Sequence, residues 1–145
     1  MKKVRGFHLK FEGKKDIRSE FLRKVKDTIM GSLDCDNANY VAMFLVEIIK
    51  NIYDHADGYG EAKLTERQDE PNIFDFVVFD EGTIRYDFEE CLRKSEFAGD
   101  KLNHPENYGI GLGLIMDLSD MKGVTLAIDT TKGFRYTGTI DLNIV

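Results

Sequence analysis

The period of the hydrophobic positions changes several times along the chain, and each change marks an element. Near the start, Phe7, Leu9 and Phe11 alternate with other residues in VRGFHLKFEG, which predicts a half-buried strand. In DIRSEFLRKVKDTIMG the spacing becomes helical through Ile17, Phe21, Leu22, Val25 and Ile29. Asp16 is placed to cap that helix and Gly31 to stop it. A second, stronger helix is predicted for DNANYVAMFLVEIIKNIYDHADG, opened by Asp36 or a neighbour and closed near Gly58. Val41, Leu45, Ile48, Ile49, Ile52 and Ala56 share its core-facing side.

Two strands are then predicted, GEAKLTERQ and NIFDFVVFD, with DEPN as the turn between them. The second is apolar at nearly every residue, which fits a central strand covered on both faces. The stretch from Glu81 to Tyr108 is polar. Asp87 and Glu90 have the spacing of a capping box and predict one short helix there, and FAGDKLNHPENYG reads as a loop. A third long helix runs through GLIMDLSDMKG with Gly123 as its stop. VTLAIDTT and FRYTGTIDLNIV alternate and predict a closing hairpin around TKG. The order strand, helix, helix, strand, strand, loop, helix, strand, strand predicts an α+β two-layer sandwich. Helices are expected to cover one face of a mixed sheet.

The 145 residues suit one domain, 1–145, with a single core, and no repeat or linker interrupts them. A net charge of -6 argues against a general nucleic-acid binder and against docking on an anionic membrane. Cys35 and Cys91 form neither a disulfide framework nor a zinc spacing, so reduced thiols and a cytoplasmic location are expected. The N-terminal residues lack the apolar run of a signal peptide, and the longest apolar stretch, YVAMFLV, is too short for a bilayer.

One feature of the second helix stands apart from its core pattern. Glu47, Asn51 and His55 recur at every fourth position, a line that drifts only about 40° per step. An ordinary amphipathic surface helix would explain it. The line nevertheless lacks the alternating Lys and Glu of a solvated face. It combines a carboxylate able to accept a proton, an amide oxygen suited to a hard cation, and a titratable ring. Glu-Asn-His is a poor ligand set for zinc.

Two further stretches carry candidate chemistry. NYGIGLGL sets Gly109, Gly111 and Gly113 at alternate positions where a helix begins, so backbone N–H groups can approach a phosphate. A flexible turn before a tightly packed helix is the plainer explanation. The stretch is neither a dinucleotide fingerprint nor a Walker A loop, because no βαβ unit surrounds it and no Gly-Lys-Ser/Thr follows. FVVFDEG ends a buried strand at Asp80, followed by Gly82. Asp80 can be a simple turn former, or a carboxylate at a pocket mouth that accepts from the exocyclic amino group of adenine.

Together and in this order, these motifs resemble those of the GHKL ATPases, the superfamily of gyrase, the large heat-shock chaperone and the histidine kinases. Glu47-x-x-x-Asn51-x-x-x-His55-Ala56 is similar to its N box, Asp80-Glu81-Gly82 to its first glycine box, and Gly109-Ile110-Gly111-Leu112-Gly113-Leu114 to its second. The resemblance covers nearly the whole chain and implies the Bergerat-type ATP-binding fold, with ATP and Mg²⁺ as cofactors. It implies Glu47 as general base, Asn51 as Mg²⁺ ligand and His55 as a further nucleotide-site residue. Asp80 would hold the adenine amino group with Gly82 beside the base. Gly109, Gly111, Leu112 and Gly113 would lie along the phosphates, and residues 83–108 would form the ATP lid. The polar line would then be the floor of a nucleotide pocket, facing away from the core.

There are departures. Ile84 stands where the family often has a second glycine, and Phe134 follows Gly133 where Gly-Thr is usual. Asp54 stands where some histidine kinases carry a lysine, so Lys94, Lys101 or His104 would have to meet phosphate charge instead. The chain reads as a free-standing domain, without a phosphoacceptor helix pair or a transducer domain. In that respect it looks like the anti-sigma-factor serine kinases. Such a protein phosphorylates a small anti-anti-sigma antagonist and binds a sigma factor, and a homodimer is expected by the same resemblance. Two alternatives stay open. One is a non-catalytic module whose nucleotide only sets a shape read by a partner. The other is the catalytic domain of a split histidine kinase serving a response regulator.

Overall fold

The computed structural model describes residues 5–13, 18–33, 38–55, 59–82, 87, 89–90 and 110–144. They form five strands and three helices: β1 (Gly6–Glu12), α1 (Arg18–Leu33), α2 (Ala38–His55), β2 (Tyr59–Glu66), β3 (Ile73–Asp80), α3 (Ile110–Ser119), β4 (Val124–Asp129) and β5 (Arg135–Asp141). The strands make one open sheet in the order β1-β2-β3-β5-β4. Every neighbouring pair is antiparallel, so the sheet is not mixed. The reason lies in the connections. A parallel neighbour needs one crossover helix, whereas two helices in succession, α1 and α2, carry the chain back to the end it left. Strand β2 therefore runs against β1.

The register places all inward residues on one face. Leu9 is opposite Ala62, Ala62 opposite Val78, and Val78 opposite Tyr136, with Ile128 across the last pair. Helix α2 supplies the opposing layer, with Val41, Phe44, Leu45, Ile48, Ile49 and Ile52 all buried. Helix α1 adds Val25, Ile29 and Leu33, and α3 adds Ile115. Phe21 stacks on Tyr53 of α2 and meets Phe11 edge-on, which joins α1, α2 and β1 through aromatic contacts.

The outer face of the sheet differs from expectation at β3. No described helix covers it: Asp75 is exposed, while Val77 and Phe79 are half-buried. Phe79 is shielded instead by the Arg135 guanidinium, 5.0 Å from its ring centre. Two helix ends also move. Helix α1 passes through Gly31 to Leu33, because burying Leu33 outweighs the weak helix preference of one glycine. Helix α3 stops at Ser119, and Gly123, at φ 86°, sits in the turn into β4. Of the predicted short helix only residues 87, 89 and 90 are described, and there the Glu90 amide donates to Asp87 Oδ1 at 3.1 Å. Asp16, Asp36, Ala56, Gly58, Cys35 and Cys91 lie outside the described residues.

At the end of the sheet where β1 begins, one ion pair ties three segments. Arg5 grips Glu66 with Nη2 to Oε2 at 2.8 Å and donates Nη1 to the Leu33 carbonyl at 2.7 Å, closing the end of α1. The Asn72 amide also donates to Glu66, at 2.9 Å. The Arg5 hydrogen bonds hold the Glu66 carboxyl down at about 2, against burial that pushes the other way. A carboxyl lowered by folding stabilises the fold above its ordinary 4.5, and that contribution disappears as pH falls toward 2. Glu66→Gln is therefore expected to lower unfolding stability at pH 7 by roughly 2–3 kcal/mol. The gap to wild type should narrow steadily in urea titrations repeated from pH 5 to pH 2.5. A gap constant over that range would contradict the assignment.

Candidate functional site

The antiparallel topology brings the motif-bearing ends together. Helix α2 ends at His55, next to Tyr59 of β2, and Gly60 of β2 pairs with Asp80 at the end of β3. Helix α3 passes into β4 at the far end of the sheet, so its first turn belongs to the Asp80 end. The C-terminal half of α2, the end of β3, the start of α3 and the turn into β5 thus share one end of the molecule.

Asp80 is 6 % exposed, and its carboxylate is held by two backbone donors. Gly82 N–H donates to Oδ1 at 2.9 Å, a local turn of the kind an aspartate favours. Phe134 N–H donates to Oδ2 at 2.9 Å, and the Asp80 amide returns a bond to the Phe134 carbonyl at 3.0 Å. The turn-forming role and a fixed carboxylate are therefore both present. Two N–H donors orient the group, and each oxygen retains acceptor capacity.

Asn51, 7 % exposed, does not face away from the core as the amphipathic pattern implies. It turns toward the sheet, and its Nδ2 donates to the hydroxyl of Tyr136 at 2.6 Å. Tyr136 is fully buried and sits opposite Val78, two residues before Asp80. Its ring stacks on Phe134 at 5.8 Å, and Phe134 contributes the N–H that holds Asp80. A continuous path therefore runs Asn51, Tyr136, Phe134, Asp80, with both polar ends buried at the margin of the core.

Glu47 lies one turn before Asn51, its side chain 16 % exposed, with Lys50 Nζ at 3.4 Å. Asp54 belongs elsewhere. It pairs with Arg18 of α1 at 3.0 Å, and that hydrogen bond is the main reason the guanidinium sits above its ordinary pKa. His55 is the last residue of α2. Gly111, Leu112 and Gly113 lie in the first turn of α3, whose leading N–H groups have no partner within the helix. Gly109, residues 83–86 and 91–108 of the expected lid, and with them Ile84, Lys94, Lys101 and His104, lie outside the described residues.

The donor set can be tested against a cation. Among the described residues no donor reaches Asn51 Oδ1, and a buried amide oxygen with free lone pairs suits Mg²⁺. Glu47 adds a carboxylate nearby in the helix. No cluster of three or more His, Cys, Asp or Glu side chains occurs among the described residues. A metal here would take one or two protein oxygens and the rest from phosphate and water, the usual habit of Mg²⁺. Asp80, bound to two amides, fits recognition of a donor rather than a metal.

Tyr136 was not visible as a site residue in the sequence, and Gly133-Phe134 stood out only as a departure in the closing hairpin, not for the Phe134 amide. The one available signal is that a tyrosine at an inward strand position must find a partner for its hydroxyl. Gly133 belongs with them. At φ 69° it occupies the left-handed region, and a Cβ there would collide with the Asp80 carboxylate. Gly133→Ala is expected to cost more than about 1 kcal/mol in stability. It should also break the amide bond from Phe134 to Asp80, seen as loss of hydrogen-exchange protection at Phe134. Unchanged stability and protection would contradict the geometry.

Compared with models of known protein families, the chain matches none. It matches no curated protein either.

Proposed function

We propose that this chain is an ATP- and Mg²⁺-dependent regulatory protein serine kinase of the anti-sigma-factor type, built on a Bergerat-type ATP-binding fold and working in the cytoplasm. Its protein partners would be a small antagonist bearing the acceptor serine and a sigma factor or similar regulator. The observation that carries this reading is the convergence of Asn51 and Asp80. They are buried polar side chains from different elements, linked through Tyr136 and Phe134 at the end of the sheet where α3 begins.

The chemistry follows from the residues. Asp80, oriented by the Gly82 and Phe134 amides, accepts from the exocyclic amino group of adenine. The first turn of α3, with Gly111 and Gly113, offers N–H groups to the phosphates. Mg²⁺ would be held by Asn51 Oδ1 and would neutralise charge on the phosphates. Glu47 accepts the proton of the serine hydroxyl as its oxygen bonds to the γ-phosphorus. The bond from that phosphorus to the β–γ bridging oxygen breaks, and ADP leaves.

Two observations favour a second reading. Glu47 is paired with Lys50, and Phe134 is a buried ring at the position where the resemblance expects a threonine. Both suit a module that binds nucleotide without turning it over. The deciding experiment supplies γ-labelled ATP, Mg²⁺ and the small antagonist protein of the same organism. Acid-stable phosphoserine is expected, formed about 100-fold more slowly by Glu47→Ala, which should still bind ATP. ATP binding without transfer would favour the module, and acid-labile phosphate would identify a histidine kinase.

A further inference from the structure

We infer that Arg18, in the first turn of α1, is a phosphate-binding residue of the nucleotide site. The inference rests on the nucleotide-binding reading above and adds to it a cation from a helix that carries none of the motifs.

The need for a cation comes from the charges on α2. At about 100° per residue, Glu47, Asn51 and Asp54 lie within about 60° of one another around the helix. Two of the three are carboxylates, on a chain of net charge -6. A polyphosphate brought to this face would meet like charge unless protein cations stood beside it. Lys50 is one such cation, with Nζ 3.4 Å from Glu47.

Arg18 is the other. Asp54 is no ligand of the nucleotide; what it does is hold a guanidinium at the rim of the site. Arg18 Nε donates to Oδ1 at 3.0 Å and Nη2 to Oδ2 at 3.1 Å, so one edge of the fork is fixed from α1 across to α2. The Nη1 end has no partner among the described residues, and the side chain is 51 % exposed. A fork anchored on one edge offers its remaining N–H groups to phosphate oxygens already oriented. Asp54 lies one turn beyond Asn51 toward His55, the end of α2 next to the strand start that pairs with Asp80. Arg18 is thereby set beside the stretch between the metal ligand and the base-recognising carboxylate, which a polyphosphate has to cross. Its charge also reaches Glu47: after the Asp54 hydrogen bond and charge, Glu47 raises the guanidinium pKa further.

A plain tie between α1 and α2 would use the same ion pair, and the two partners separate the roles. ATP binding with Mg²⁺ is measured by calorimetry for wild type, Arg18→Gln, Asp54→Asn and the double variant. A half-exposed ion pair adds little to stability, so all should stay folded, and thermal melts check it. Asparagine keeps an acceptor for Arg18 and removes the negative charge. The expected result is ATP affinity about tenfold or more weaker in Arg18→Gln. Asp54→Asn should bind at least as tightly as wild type, and adding Arg18→Gln to it should again cost about tenfold. Wild-type affinity in Arg18→Gln would overturn the inference and leave the nucleotide reading intact. Equal weakening in Arg18→Gln and Asp54→Asn would overturn it in favour of the tie. A double variant that binds like Asp54→Asn would also overturn it, since Arg18 would then only mask Asp54. No ATP binding by wild type would overturn both the inference and the reading beneath it.

Discussion

Helix α2 must bury a broad apolar stripe on the single inner face of the sheet, and the rest of the structure follows from that constraint. Phe44, Ile48, Ile49 and Ile52 are all at or near zero exposure. A stripe this wide reaches around the helix and draws Asn51 into the interface with it. A buried amide without a partner costs about 1–3 kcal/mol, so the fold has to supply one. It does so from β5, with the Tyr136 hydroxyl. The same strand start supplies the Phe134 amide that holds Asp80. Two polar groups are therefore kept at the margin of the core by packing and hydrogen bonding together.

The two ends of the sheet are organised differently. Where β1 begins, Arg5 and Glu66 form a closed set whose hydrogen bonds are satisfied internally and through the Leu33 carbonyl and the Asn72 amide. That arrangement locks segments together. At the Asp80 end, the amides that fix the carboxylate leave acceptor capacity unused, and Asn51 keeps an amide oxygen that no described donor reaches. Buried polar atoms normally find partners. An end of a domain that holds its polar groups still without saturating them is suited to receive something, and a nucleotide with its metal has both the donor and the charge to match.

Much of this was legible in the sequence because the periodicities are strong. The alternation in β1, β4 and β5 and the helical spacing in α2 reflect burial on one side only, which is the property that pattern reading detects. Strand direction was less accessible. The hydrophobic pattern of β2 is the same whichever way its neighbour runs, and the antiparallel sheet comes from the return made by α1 and α2 and from β5 lying between the parallel strands β3 and β4. Gly31 misled for a similar reason, since the drive to bury Leu33 lies beyond the local preference of the glycine. Glu47, Asn51 and Asp80 stood out as polar residues in apolar surroundings. Tyr136 did not, because its partner is 85 residues away and its strand pattern is ordinary.

The central claim is that the corner containing Asn51 and Asp80 receives ATP, and amide NMR of the uniformly ¹⁵N-labelled protein tests it most directly. Adding ATP with Mg²⁺ should shift the Asn51 side-chain amide and the backbone amides of Gly82, Gly111, Gly113 and Phe134, while those of β1 and the second half of α1 stay in place. Shifts confined to other parts of the molecule, or none at millimolar ATP, would contradict the account.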